Sequence, residues 1–318
     1  MTCTVVVPSF RRPDDLLECV ASLFSGARVP DQVVIVLRDT DQESQARLAA
    51  WQKESAAGAE RVESVAVSEP GQMAAMNAGL AVAWGDVVCF IDDDCRATRH
   101  WLERIMSHYQ VPEVVGVGGR DIVHHGGEVW AEPAPVVGRI TWYGRLIGNH
   151  HQPAFEAARE VDHLKGANMS FRRHVMPQFD TNIRAGLLND TDVSLTVGAK
   201  GKLIYDPLAT VHHYPARREG QRPRGDLEPE TIFLHAHDWA YVLFKHLSPM
   251  RRIAFWIYAI GVGQAERLGL VKLLGMLLRR PGAAWGQWWA TVRGIWAGWC
   301  SSRGMRRGGT EDFSHRGH

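Results

Sequence analysis

Five apolar residues run straight into three carboxylates at Val87-Val88-Cys89-Phe90-Ile91-Asp92-Asp93-Asp94, and no other stretch constrains this chain as much. A continuous apolar run of that length, set off by Gly85, reads as a strand buried on both faces. Three adjacent like charges at its end resist ionising together unless a cation sits among them. The stretch therefore predicts a metal site at the mouth of an α/β sheet. The alternative is a solvated acidic turn, which the buried strand before it argues against.

The first hundred residues supply the sheet. Thr4–Val7 reads as a strand ending at Pro8-Ser9-Phe10, and Pro13 opens a helix with Asp14 and Asp15 in its first turn, where the helix dipole favours acids. A second buried strand covers Gln32–Leu37, followed by a helix over Gln42–Lys53 and a third strand over Arg61–Val67. The next helix spans Gln72–Trp84 with Gly85 as its C-cap. Strand and helix alternate throughout, the pattern of a parallel sheet flanked by helices. Such sheets bind ligands at the carboxyl ends of their strands, so Ser9, Asp39 and Asp92–Asp94 are expected to converge.

The middle third is less regular. Val114–Val117 and Lys202–Tyr205 read as short strands, His124 to Glu160 as loops with short elements, and Asn189-Asp190-Thr191-Asp192 as a helix N-terminus. Asn168 lies in a glycine-bearing turn.

Several chemistries are excluded. Lys and Arg number 36 against 35 acids, which argues against a nucleic-acid binder. Five scattered cysteines with no C-x-x-C argue against a disulfide framework or a cysteine zinc site. The turn Pro8-Ser9-Phe10-Arg11-Arg12 lacks the glycines of a dinucleotide fingerprint, and no phosphate-binding G-x-x-x-x-G-K-[ST] occurs. A haloacid-dehalogenase-like phosphatase would want Thr or Val where Arg96 stands, with the acidic pair near the first strand. Oxygen ligands suit Mg²⁺ or Mn²⁺, and one added imidazole favours Mn²⁺.

Thr4-Val5-Val6-Val7-Pro8-Ser9-Phe10, Asp39, Gly71 with Asn77 and Gly79, Phe90-Ile91-Asp92-Asp93-Asp94, Gly166-Ala167-Asn168-Met169-Ser170-Phe171-Arg172-Arg173, Asn189-Asp190-Thr191-Asp192 and Val211-His212-His213-Tyr214 follow one another in order. Together they resemble glycosyltransferase family 2, the inverting enzymes with a GT-A fold: a Rossmann-like, mostly parallel sheet flanked by helices. The resemblance implies a metal-dependent transfer from a nucleoside-diphosphate sugar of UDP, dTDP or GDP type to a glycan or lipid-linked acceptor. It implies that Pro8 and Phe10 flank the nucleobase and that Asp39 accepts its imide N–H. Gly71, Asn77, Asp92, Asp93 and Asn168 would fall on the nucleotide-sugar side, with Asn168 a candidate sugar contact and Asp93 a spacer or ribose contact. Asp92, Asp94 and His213 would hold the metal, and Asp190 would be the general base, with Asp192 its rival. Three positions depart from the family pattern: Arg38 for an acid, Met76 for a diphosphate-clamping Arg, and Asn189 for Glu. A catalytically silent binding or scaffold subunit on the same fold is the competing reading.

The domain expectation is a catalytic domain over 1–225, with a nucleotide-binding half about 1–120 and an acceptor half about 121–225. An amphipathic helical extension would cover 226–302 and a polar, disordered tail 303–318. From Trp239 to Cys300 lie seven of the twelve Trp, with eight Lys or Arg against the single acid Glu266. The uncharged run Ile253 to Ala265 falls short of the ~20 apolar residues a spanning helix needs. Basic, Trp-rich helices of this kind lie in a membrane interface, whereas a helical cap is the bland alternative. With no secretory signal in the sequence, the expected location is cytoplasmic, peripheral on the inner face of the cell membrane, against an anionic surface.

Overall fold

The structure is a computed structural model that describes residues 1–54, 58–125, 128–129, 133–152, 157–215, 228–264, 267–278 and 281–308. Its chain divides into two compact units. The first comprises Met1–Arg139, Ile147–Asp180 and Asn189–Arg217, and the second Ile140–Leu146, Thr181–Leu188 and Arg218–His318. The expected tail over 303–318 lies outside the described residues from 309 onward.

The first unit is built on strands β1 (Cys3–Ser9), β2 (Gln32–Arg38), β3 (Val62–Val67) and β4 (Val87–Ile91), with helices α1 (Pro13–Phe24), α2 (Gln42–Glu54) and α3 (Gln72–Val82) between them. It continues through β5 (Cys95–Ala97), α4 (Trp101–His108), β6 (Val114–His125) and the short β7 (Glu128–Val129); β8 (Arg139–Ile140) and β9 (Leu146–Ile147) stand where the chain leaves the first unit and re-enters it, and β10 (Arg159–Val161), β11 (Asn168–Arg172), α5 (Asn189–Gly198) and β12 (Lys202–His213) complete it. The main path of the sheet runs β10-β12-β6-β11-β4-β1-β2-β3, with β5 paired to β12 and β7 to β6. β4, β1, β2 and β3 are mutually parallel, and β6 is parallel to β12. β11 lies antiparallel between β4 and β6.

The two-residue period of the strands sends alternate side chains to opposite layers. Val5 and Val7 pack with Leu16, Val20 and Leu23 of α1 and Trp101 of α4. Val6, Val34 and Phe90 pack on the other face with Met73 and Met76 of α3 and Val193 of α5. All five apolar residues of β4 are inaccessible to solvent, as a strand covered on both faces must be.

Three sequence expectations need correction. α3 ends at Val82 rather than Trp84, because Gln32 takes over its last groups: Gln32 Nε2 donates to the Val82 carbonyl (3.2 Å) and Gln32 Oε1 accepts the Trp84 N–H (3.1 Å). Gly85 is therefore no C-cap. The short strand at Val114–Val117 extends to His125, and the one at Lys202–Tyr205 extends to His213 as β12. An irregularity between Asp206 and Val211 interrupts the β6–β12 register, which is why the sequence pattern breaks there.

The second unit carries α6 (Pro229–His246), α7 (Pro249–Gly261), α8 (Leu270–Leu277) and α9 (Pro281–Gly308). Gly294 and Gly298 let α9 lie on the α6 backbone: a Cβ at either position would stand 2.4 Å from the carbonyl of Phe233 or His237. The buried Asp238 carboxylate accepts the backbone N–H groups of Arg184 and Ala185 (2.8 Å each) and Leu187 (3.3 Å), fastening the 181–188 segment to α6. Among the described residues no helix is long and apolar enough to cross a membrane.

At the irregular step of β12, Asp206 lies 2.9 Å from His108 Nε2 and 3.4 Å from Arg104 Nη1, and it accepts the Leu208 N–H (2.9 Å). Burial raises its carboxyl, but His108, Leu208 and Arg104 outweigh that and hold it below the ordinary 3.8. A carboxyl lowered by folding adds stability above its unfolded value, and that stability is lost as pH falls through the folded one. Asp206→Asn is expected to cost about 1–3 kcal/mol at pH 7 by urea unfolding. The difference from the natural protein should narrow as pH drops below 3.8; a constant gap would contradict the assignment.

Candidate active site

β1 and β4 are neighbours although β2 and β3 intervene in sequence, so the sheet grows in opposite directions from that pair. Crevices at such switch points, beyond the carboxyl ends of the strands, are where open α/β sheets take ligands. Ser9 ends β1, and Asp92 to Asp94 follow β4.

The carboxylates are met by an alcohol, a guanidinium and an imidazole. Ser9 Oγ donates to Asp93 Oδ2 at 2.6 Å. Arg12, the residue before α1, spans Asp93 Oδ1 (2.7 Å, Nη2) and Asp94 Oδ2 (2.9 Å, Nη1). His213 Nε2 lies 3.3 Å from Asp94 Oδ1. The sheet arranges this meeting, since β5 pairs antiparallel with β12 and sets His213 opposite Cys95, one residue beyond Asp94. Burial raises the Asp92 carboxyl to about 6, helped by the like charge of Asp94. Burial also raises Asp93, to about 7, against the lowering pull of Arg12 and Ser9. Burial lowers the His213 imidazole, but its bonds and charge attraction to Asp121 and Asp94 override that and lift it to about 10.

A divalent ion is tested by the donors. Among the described residues, the side chains close enough to share an ion are Asp94, Cys95 and His213, with ligand atoms within 4.8 Å of one another. Neighbouring ligands of one octahedral ion at ~2.1 Å stand about 3 Å apart, so the 3.3 Å from Asp94 to His213 fits. The Cys95 thiol is pushed well above its ordinary 9.0 by burial and by Asp92, Asp121 and Asp94. An oxygen and an imidazole nitrogen suit Mn²⁺ or Mg²⁺. Asp92, expected as a ligand, is not part of this group.

Asp190 opens α5 and is partly exposed, whereas Asp192, two positions further into the helix, is buried. Asp190 Oδ2 accepts the Gly166 N–H at 3.0 Å and Oδ1 accepts the Thr191 N–H at 2.6 Å. On the opposite flank Phe10 is exposed at the end of β1, with the Arg11 guanidinium 5.0 Å from its ring centre. Arg11 holds φ at 56°, and its N–H donates to Asp41 Oδ2 (2.6 Å), which fixes the β1–α1 turn. Pro8 is partly buried in β1, and Asp39 sits just past β2 with its carboxylate half-exposed and its N–H bonded to Val67. Gly71, before α3, adopts φ 114°, which L side chains rarely reach.

A family model described as glycosyl transferase family 2 matches residues 4–178. The chain belongs to that family. It is 32% identical over 108 residues to the glucosyl-dolichyl phosphate glucuronosyltransferase of Haloferax volcanii, a match covering 33% of each chain. It thus spans about a third of the length of the curated relatives it matches. Its fold is similar to that of GalNAc-T7, solved with UDP, GalNAc and Mn²⁺ (TM-score 0.62, 15% identity, 81% of this chain and 50% of that one). S. aureus TarS 1-349, solved with UDP-GlcNAc, is similar over 97% of this chain and 92% of its own (TM-score 0.57, 14% identity). The GT-A architecture expected from the sequence is the one observed, with helices at the C-terminal end.

Two family positions do other work in this chain. Asn77, expected on the nucleotide side, exchanges two hydrogen bonds with the Phe179 backbone (3.0 and 2.7 Å). Asn168, expected to touch the sugar, is fully buried. Its Oδ1 accepts Trp101 Nε1–H (2.8 Å), and its Nδ2 donates to the carbonyls of Ala209 (2.9 Å) and Arg120 (3.3 Å). It locks β11, α4 and the β6–β12 irregularity together. Sequence reasoning missed Arg12, Asp121 and Lys165. The signal for Asp121 was a lone acid after Gly118-Gly119, hidden because β6 was expected to end at Val117. Asn168→Ala should lower stability by about 1–3 kcal/mol through the groups left unpaired, leaving nucleotide affinity in the folded fraction unchanged. Urea unfolding alongside calorimetric UDP or GDP titration separates the two roles.

Proposed function

We propose that the protein is an inverting glycosyltransferase that moves a sugar from a nucleoside-diphosphate donor to a hydroxyl of a glycan or lipid-linked acceptor. The observation that carries this reading is the acidic turn after β4 facing His213, beside the partly exposed Asp190. Asp190 takes the proton from the acceptor hydroxyl as that oxygen attacks the anomeric carbon in line. A single displacement with base and leaving group on opposite faces inverts the centre. The Gly166 and Thr191 N–H groups hold the Asp190 carboxylate in place.

Phe10 offers its ring face to the nucleobase. Asp39 accepts an imide N–H, which uracil, thymine and guanine possess and adenine and cytosine lack. Asp94 and His213 hold the divalent ion, with Asp92 close by. When bound, Mn²⁺ or Mg²⁺ supplies Lewis-acid neutralisation of the departing diphosphate. The Mn²⁺ in the GalNAc-T7 structure supports that assignment. Arg12 offers the positive charge that Met76 does not.

The second unit attaches the protein peripherally to an anionic membrane surface, on the cytoplasmic face. Ile253 and Ile257 of α7, Val271 and Leu274 of α8, and Trp285 and Trp289 of α9 are each more than half exposed, among eight bases and one acid between Trp239 and Cys300. The dolichyl phosphate in the Haloferax volcanii relative's name supports a lipid-linked acceptor.

Asp94→Ala should abolish metal-dependent donor hydrolysis; full activity would refute the metal assignment. Asp190→Asn should cut sugar transfer about 10²–10⁴-fold with nucleotide binding retained, while an equal loss confined to Asp192→Asn would move the base. Donor binding without hydrolysis or transfer to any acceptor would favour the silent binding subunit.

For the membrane, flotation with phosphatidylserine vesicles should show binding at low salt that weakens at high salt. Ile257→Glu/Leu274→Glu should abolish it. No binding at low salt would sink the attachment.

A further inference from the structure

We propose that Asp121 is a positioning residue for the metal centre: it orients His213 so that Nε2 faces the ion, with Lys165 as its second cationic partner. This inference rests on the proposed metal site at Asp94 and His213.

Asp121 lies in β6 and is wholly inaccessible to solvent. A carboxylate in such a place is kept only with partners, and that of Asp121 has two, His213 and Lys165. Its backbone N–H donates to the His150 carbonyl (3.0 Å), which fixes the strand. Its carboxylate receives His213 Nδ1 at 3.1 and 3.2 Å, one contact to each oxygen. Lys165 Nζ donates to Oδ2. A carboxylate met only by N–H donors accepts from each of them.

The direction of the His213 contact decides what Asp121 does. A carboxylate can only accept, so with Asp121 behind the ring Nδ1 keeps its proton, and Nε2, the nitrogen turned to Asp94, is the one that would give up its proton to a cation held by Asp94. A carboxylate behind a ligating imidazole fixes ring orientation and raises ligand basicity, and its loss typically costs 10–100-fold in metal affinity. A purely structural ion pair would not need Asp121 and Asp94 on opposite nitrogens of one ring. Lys165 adds a connection: the next residue, Gly166, donates its N–H to Asp190. One turn therefore touches both the support of the metal ligand and the proposed base.

The test is Mn²⁺ affinity of the purified full chain without donor, read from the electron paramagnetic resonance signal of free Mn²⁺. Asp121→Asn is expected to weaken binding ~10–100-fold, with part of the affinity regained in Asp121→Glu. Asp206→Asn removes another buried His-paired aspartate and should leave Mn²⁺ affinity unchanged, which separates positioning from lost stability. Natural affinity in folded Asp121→Asn, with binding weakened by His213→Ala, would overturn the proposal alone. No Mn²⁺ binding by the natural protein, or no effect of His213→Ala, would overturn the metal reading and this inference with it.

A second measurement does not depend on Asp121→Asn folding. In ¹⁵N spectra of the natural protein with diamagnetic Cd²⁺, assigned with His213→Gln, the His213 proton should reside on Nδ1 and the metal shift appear at Nε2. The reverse pattern would refute the proposal.

Discussion

Everything at the centre of this protein follows from placing three consecutive carboxylates where water cannot dilute their repulsion. Two unit charges ~4 Å apart interact by about 4 kcal/mol at an effective dielectric of 20, so an unrelieved acidic turn could not persist at the end of a buried strand. Relief comes from outside the turn. Arg12 bridges Asp93 and Asp94 from the first helix, Ser9 donates from the first strand, and His213 approaches from the last. Burial still holds the Asp92 and Asp93 carboxyls above the ordinary range, at about 6 and about 7, despite these partners.

The sheet is organised to deliver those partners. β1 must lie beside β4 for Ser9 and Arg12 to reach the acids, which requires the chain to lay down β2 and β3 on one side and return. His213 arrives by a longer route. The antiparallel β11 between β4 and β6 displaces β12 from the acidic turn, and the three-residue β5 spans the gap by pairing with the end of β12. The Tyr214 N–H closes the connection on the Asp94 carbonyl at 2.9 Å. Asn168, buried in the strand that makes this detour necessary, bonds both sides of the irregularity that lets β12 continue.

This division explains what the sequence could reveal. The apolar run into Asp92–Asp94, the valine strands and the helix beginning at Asn189 depend on local periodicity, and each is found where its pattern puts it. Pairings between distant segments leave no such mark. Arg12 reads as a surface base before a helix until the sheet closes and sets it against residues eighty positions away. Asp121 reads as a loop acid until β6 is seen to continue past two glycines. Family resemblance is silent on a different point. Asn77 and Asn168 carry the expected residue types, yet backbone and Trp101 partners already claim their amides. Residue type transfers along a family more readily than the partner it serves.

The tryptophan-rich region shows the same separation of composition from role. As a count, its tryptophans form one signal, but the fold divides them. Trp239 is fully buried against Phe255 and Tyr258, and Trp256 joins Phe244 and Trp299 in one aromatic cluster. Those rings hold helices together, as do Gly294 and Gly298 through close approach. Trp285, Trp289 and Trp296 are exposed, along with Ile257, Leu274 and Leu278. A buried ring cannot serve a bilayer without unpacking the helices around it. Any affinity for an apolar surface therefore belongs to the exposed set, and its strength should follow those side chains rather than the total tryptophan content.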